Sequence, residues 1–309
     1  MTDELTLPPM PDFDPKSTRR AVRRGVFRTA FIVLAALVAL VLVATVGSTL
    51  VQQRGDRDQR MKDVLGTAFK LYNPAYNLAI DSCCDVTPVS MAFTVRGAPM
   101  RAIGGFASYG GSTYTVRQDF FGRVGRLPLG NGANTTLSTA LANVTTGNQP
   151  KQDTRKVLAR LPADLNALAV VEFTRPLSTE ELVAFGAKYK ACPDKVVYER
   201  RPTSIPITWN DATWDRAPMP ETHMQMCYES PGNHLRSLRA WVATLRDYDD
   251  ANLRDFDLSL ARLRKAANEG LAYAYVDQLA TIGGLRKLIE DPLVRTVRVA
   301  DVTYDLERP

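Results

Sequence analysis

The apolar positions of this chain change spacing several times, and each spacing predicts a different kind of element. From Thr29 to Gln53 no charged residue occurs, and Ala30–Val51 reads AFIVLAALVALVLVATVGSTLV. A helix of that length covers about 30 Å, the hydrocarbon thickness of a bilayer. In lipid its backbone is satisfied only as a helix. Residues 29–53 are therefore expected to be a transmembrane helix. A cleaved signal peptide is the competing reading. Its apolar core is usually about 7–15 residues, and the nearest approach to a cleavage site is Ala44-Thr45-Val46-Gly47.

After the span, residues 54–74 read as a polar helical stalk, with Met61, Leu65 and Phe69 on one stripe and Asn73-Pro74 as its stop. Residues 75–150 carry short β-favouring runs, Val89–Val95, Ile103–Tyr109 and Tyr114–Phe121. Gly104-Gly105 and Gly110-Gly111 read as turns between them. The polar stretch Gly130–Pro150 reads as a loop and a boundary.

Residues 151–309 alternate strand and helix patterns. Ala167–Phe173 suits a buried strand. Ser178-Thr179-Glu180-Glu181 is a capping box, and Leu182 and Phe185 supply the following helix face. Lys195–Tyr198 returns as a strand. The pattern recurs as strand Leu271–Val276, helix Thr281–Ile289 and strand Val294–Val302, where Val297 and Val299 alternate with Thr296 and Arg298. Between the two β-α-β units, Leu235, Leu238, Trp241, Val242 and Leu245 form one helical stripe. Leu253, Phe256, Leu260 and Leu263 form another, and both are expected to pack on the sheet. The fold class expected is α+β: an N-terminal transmembrane helix, a β-rich region, and a mixed α/β sandwich with helices on one face and a ferredoxin-like arrangement.

Charge adds orientation. Residues 1–15 hold Asp3, Glu4, Asp12 and Asp14. Residues 16–28 hold Lys16, Arg19, Arg20, Arg23, Arg24 and Arg28 and no acid. This places the N-terminus in the cytoplasm and residues 54–309 outside it, on the cell membrane. The net charge of +6 is matched in number by that cluster, so no nucleic-acid partner is expected. Residues 1–28, with Pro8, Pro9, Pro11 and Pro15, read as a disordered cytoplasmic tail. A mean hydropathy of −0.17 excludes a polytopic membrane protein.

Candidate chemistry is sparse. All four cysteines, Cys83, Cys84, Cys192 and Cys227, follow the span, where disulfides are favoured. Cys192–Cys227 is the pairing expected, because both flank the loop after the first β-α-β unit. Cys83–Cys84 then remains as a vicinal redox pair or an incidental one. His223, Met224, Met226 and Cys227, with His234 beyond, have the softness of a Cu(I) site. Packing methionines and a disulfide account for them better, so no metal or cofactor is assigned. The chain holds no G-x-S-x-G, and Glu180-Glu181 is explained by capping, so no catalytic residue is assigned and no enzyme is expected.

Several of these segments resemble the bacterial sigma factor regulator family: the anchor followed by Leu71-Tyr72-Asn73-Pro74, Leu161–Asp164 leading into Leu168–Phe173, Pro176–Leu182 with Trp209 downstream, and the closing Leu285–Val302. The resemblance implies a membrane-anchored protein that modulates an extracytoplasmic-function sigma factor, or its membrane regulator, through protein–protein contact. The tail before the span carries no His-x-x-x-Cys-x-x-Cys zinc signature. Action through the short tail, or on another membrane regulator, is what the resemblance then implies. The alternative is an extracytoplasmic binding or assembly module of the cell envelope with no signalling role.

Overall fold

A computed structural model describes residues 15–53, 56–103, 111–129, 135–144, 149–201, 205–210 and 223–304, with the side chains of 223–230 and a few at the ends of the first helix left out. The chain divides into two units, Met1–Gln52 and Gln53–Pro309.

The first unit is a helix, α1 (Pro15–Gln53). Its segment Val22–Leu50 is long and apolar enough to cross a membrane, and none of it is buried within the protein.

The second unit begins with a helix in three parts: α2 (Arg57–Arg60), a π-helical stretch Met61–Gly66, and α3 (Thr67–Tyr72). Met61, Val64, Leu65, Ala68, Phe69 and Leu71 are all buried. The segment expected to be a polar stalk is thus a core helix. Its apolar stripe is wider than Met61, Leu65 and Phe69 alone, and such a stripe needs a partner surface. That surface is a three-stranded antiparallel sheet of β1 (Tyr76–Val86), β2 (Ser90–Pro99) and β3 (Ser112–Asp119), with β2 central. Met91, Phe93 and Val95 of β2 are completely buried at period two. The strand β1 escaped sequence analysis although Tyr76, Leu78 and Ile80 alternate with Asn77, Ala79 and Asp81; the alternation is short and is interrupted by irregularities at Asp81 and Cys84. Of the expected strand Ile103–Tyr109, all but Ile103, which lies in a turn, falls outside the described residues.

The stretch expected to be a loop, Gly130–Pro150, contains α4 (Thr136–Ala142). Thr135 and Ser138 cap it reciprocally, with Ser138 in the place usually taken by Glu or Gln. Its Thr and Ser residues are weak helix formers, which hid it. Next come α5 (Lys151–Arg160) and the long strand β4 (Asn166–Leu177). The expected capping box is present: the Glu181 amide donates to Ser178 Oγ at 3.2 Å, and the Ser178 amide donates to Glu181 Oε2 at 2.9 Å, opening α6 (Thr179–Tyr189). Then follow β5 (Lys195–Val197), β6 (Thr208–Trp209), α7 (His223–Thr244), α8 (Asp250–Asp255), α9 (Leu260–Glu269), β7 (Ala272–Thr281), α10 (Ile282–Leu288) and β8 (Val294–Thr303). The second helical stripe is broken between α8 and α9. Asp257 there adopts φ 56°, and Ser259 caps α9. Gly270 ends α9 in the left-handed conformation.

These strands form a five-stranded sheet in the order β6-β5-β7-β4-β8, every neighbouring pair antiparallel. A mixed sheet was expected, but each β-α-β unit straddles a strand of the other, so no parallel neighbours arise. Helices cover both faces rather than one. On the first face Ala169, Val171 and Phe173 of β4 pack with Tyr275, Leu182 and Phe185. The Phe173 and Phe185 rings meet edge to face at 5.2 Å. On the second face Leu168 and Val170 pack with Val276 and with Leu137 and Leu141 of α4. Residues from both outer regions drawn in the sequence, 75–150 and 151–309, share the larger core with the α2–α3 helix.

Candidate functional site

Four ionisable groups collect around the start of β5: Lys195 opens that strand, Asp194 precedes it, Asp277 lies on neighbouring β7, and Lys70 lies on α3. Lys195 opens β5, opposite Val276, and its side chain is buried on the second face. Its ammonium donates to Pro74 O at 2.7 Å and Tyr76 O at 3.0 Å. Those carbonyls are presented by the turn that ends α3, which Asn73 fixes by donating from Nδ2 to Phe69 O. Burial lowers Lys195 to about 8, and the neighbouring Asp194 carboxylate works against that shift. Lys70, on α3, is lowered to about 7 by burial and then by the charge of Lys195.

Lys70 and Lys195 line one cavity of about 110 Å³, with Thr67, Asn77, Thr208 and Asn210 among its other walls. Leu71, Leu78 and Trp209 form its apolar side. Trp209 is held in place by donating from Nε1 to Ser237 Oγ at 2.8 Å and by stacking on Trp241 at 5.3 Å. Trp241 in turn donates to Asp63 O at 2.8 Å. The cavity thus joins α3 and β1 to the β5–β6 edge, with a ring pair bracing it to α7.

The two acids are not among its walls. Asp194 accepts the Gln278 amide at 2.6 Å. Asp277 accepts the Leu279 amide at 2.9 Å and the Cys192 amide at 3.3 Å. Burial raises Asp194 to about 6. Burial, reinforced by the charge of Asp194, raises Asp277 to about 8 against the backbone donors that favour its carboxylate. In the folded state Asp277 therefore keeps a proton that the unfolded chain releases near pH 4. Its contribution is fullest below pH 4 and declines as pH rises toward 8. Stability is accordingly expected to fall between pH 5 and 7, by up to about 1.4 kcal/mol per pH unit for one such group. Denaturant unfolding of Asp277→Asn across that range should show a flatter slope. An unchanged slope would remove Asp277 from the account. The two lysines act in the opposite sense, adding stability as pH climbs from about 7 toward 10.5.

None of these four residues was singled out from the sequence. Lys195 and Asp194 precede an apolar strand and Asp277 follows one, where charges ordinarily mark solvated strand ends. Of the described residues that were singled out, His234 reaches the residue after Cys192, whereas Cys83 and Cys84 lie elsewhere, on β1. Cys83 and Cys84 lie side by side on β1 with their sulfurs in bonding contact, remote in sequence from Cys192. Cys192 also takes part in a disulfide. Its expected partner, Cys227, and the His223–Met226 cluster belong to the part of α7 whose side chains fall outside the description. His234 is buried, with Nε2 3.1 Å from Pro193 O. Among the described residues no group of three or more His, Cys, Asp or Glu is arranged to hold a metal ion. Comparison of the chain with protein-family models, with curated proteins and with solved structures finds no match in any of the three.

Proposed function

We propose that the protein is a single-pass membrane regulator, its N-terminus cytoplasmic and its folded residues outside, acting by protein–protein contact on an extracytoplasmic-function sigma factor or that factor's membrane regulator. The observation that carries the membrane assignment is the bare apolar surface of α1. Phe31 is 71% exposed and Leu40 66%, over a 29-residue stretch with nothing of the protein packed on it. Apolar area of this extent calls for lipid or a partner. The polar side chains near its end support lipid. Thr45 Oγ1 donates to Leu42 O, Ser48 Oγ to Thr45 O and Thr49 Oγ1 to Val46 O, each at 2.9 Å. A hydroxyl in hydrocarbon satisfies itself in this way, on its own helix. The basic run Lys16–Arg28 supports the orientation.

The strand order β5-β7-β4-β8, with α6 and α10 as the two crossovers, supports a ferredoxin-like core inside the larger sheet. The sigma-regulator reading rests on the resemblance of the Leu71–Pro74, Leu168–Phe173 and Pro176–Leu182 segments. In this fold they form the helix end beside the cavity, part of the inner strand β4, and the capped start of α6. Deletion of residues 1–15 tests the signalling step. A regulator acting through its tail is expected to change sigma-dependent transcription severalfold with membrane level unchanged. Unaltered transcription at equal level would instead favour an envelope binding module without a signalling role.

A further inference from the structure

We propose that the cavity between α3 and the β5–β6 edge is a binding site for a compact oxyanion, phosphate-like or a short carboxylate, held by Lys70 and Lys195. Both ammonium groups line the same small space. An ammonium carries three donors, and the two carbonyls at Lys195 engage two of them without neutralising its charge. Two cations brought together in a partly dry cavity repel one another, and burial costs each of them. An anion placed between them relieves both penalties at once. Thr67 and Asn77, also among the walls, carry the neutral hydroxyl and amide groups that the remaining oxygens need, while the Thr208 hydroxyl already donates to Pro206 O.

Size sets the class. A cavity of about 110 Å³ suits a compact group such as a tetrahedral oxyanion or a carboxylate of two or three carbons. Position gives the binding a consequence. Lys70 belongs to the helix that follows α1 in the chain, and Lys195 to the five-stranded sheet. A bound anion therefore ties that helix to the sheet. This inference stands on the cavity and is independent of the sigma-factor reading.

The test uses the full-length protein in a non-ionic detergent. Phosphate, sulfate and acetate are titrated against sodium chloride at equal ionic strength, with the thermal midpoint and tryptophan fluorescence as readouts. At least one oxyanion is expected to raise the midpoint saturably, and the tightest of the three identifies the phosphate-like or the carboxylate source. Lys70→Gln is expected to weaken the apparent affinity about tenfold or more, as loss of a charge-assisted hydrogen bond does. Should that variant fail to fold, Thr67→Val keeps the shape of its side chain and is expected to weaken binding about threefold. A response no larger than that to chloride overturns the proposal. So does an equal response of the wild type and the folded variants.

Discussion

Glu172→Ala is expected to lower the unfolding free energy of the second unit by about 3–5 kcal/mol, the usual cost of breaking a buried charge pair by removing one partner. Glu172 is completely buried at the centre of β4. Its carboxylate accepts from Arg298 Nη1 at 2.7 Å and from Arg295 Nη1 at 3.1 Å, both on β8. The side chain of Arg298 is only 8% exposed, so truncating Glu172 leaves a guanidinium in the interior with part of its compensation gone. Against a total stability of about 5–15 kcal/mol for a domain, that loss approaches unfolding. Arg295 is 39% exposed and can turn to solvent, so Arg295→Ala should cost about 1 kcal/mol or less. Replacing Glu172 and Arg298 together by Leu and Met should recover most of the stability, since an apolar pair of similar volume often equals a buried ion pair. Denaturant melts of Glu172→Leu, Arg298→Met and the double close the cycle. Equal stability of Glu172→Ala and wild type would show that the pair carries no net energy.

That ion pair also shows where the sequence was legible and where it was not. The elements of the second β-α-β unit were readable because local signals agreed with the final packing. Val297 and Val299 alternate on β8, Thr281 caps α10, and apolar residues recur at helical spacing. The same alternation assigned Thr296 and Arg298 to solvent, whereas both are buried. The assignment failed because it left the second face of the sheet open. The covering element, α4, reads Thr-Leu-Ser-Thr-Ala-Leu-Ala and has no charged residue to mark its exposed side. With α4 unseen, an acid inside Ala167–Phe173 had no reason to seek an arginine two residues along a neighbouring strand. The cavity was hidden for a related reason. Lys70 and Lys195 are 125 positions apart, and their meeting depends on the helix after α1 folding back into the core. A stripe of Met61, Leu65 and Phe69 does not specify that packing by itself. The capping box, whose partners lie three residues apart, required no such tertiary knowledge and was read correctly.

The other large effect is expected in α1. Leu37→Arg combined with Val41→Arg sets two charges one turn apart near the middle of Val22–Leu50. At the centre of a membrane helix each arginine costs about 2.5–3.5 kcal/mol on insertion scales. Together they should remove about 6 kcal/mol of insertion free energy, enough to shift the protein from the carbonate-resistant membrane fraction to the soluble or degraded one. Leu37→Ala with Val41→Ala shortens the same side chains without charge and should remain in the membrane. The two variants separate lipid from the other occupant of an apolar helix, a protein partner. A packed helix pair would lose contact area in the alanine variant too, whereas a bilayer tolerates alanine and rejects arginine. The mass of the mature chain distinguishes an anchor from a signal peptide. Cleavage near Ala44 would remove α1 and leave a soluble product in the wild type, and neither substitution would then alter membrane retention. Leu37 and Val41 are both exposed, so neither substitution removes a buried side chain. A change in fractionation therefore reports on the membrane and not on misfolding.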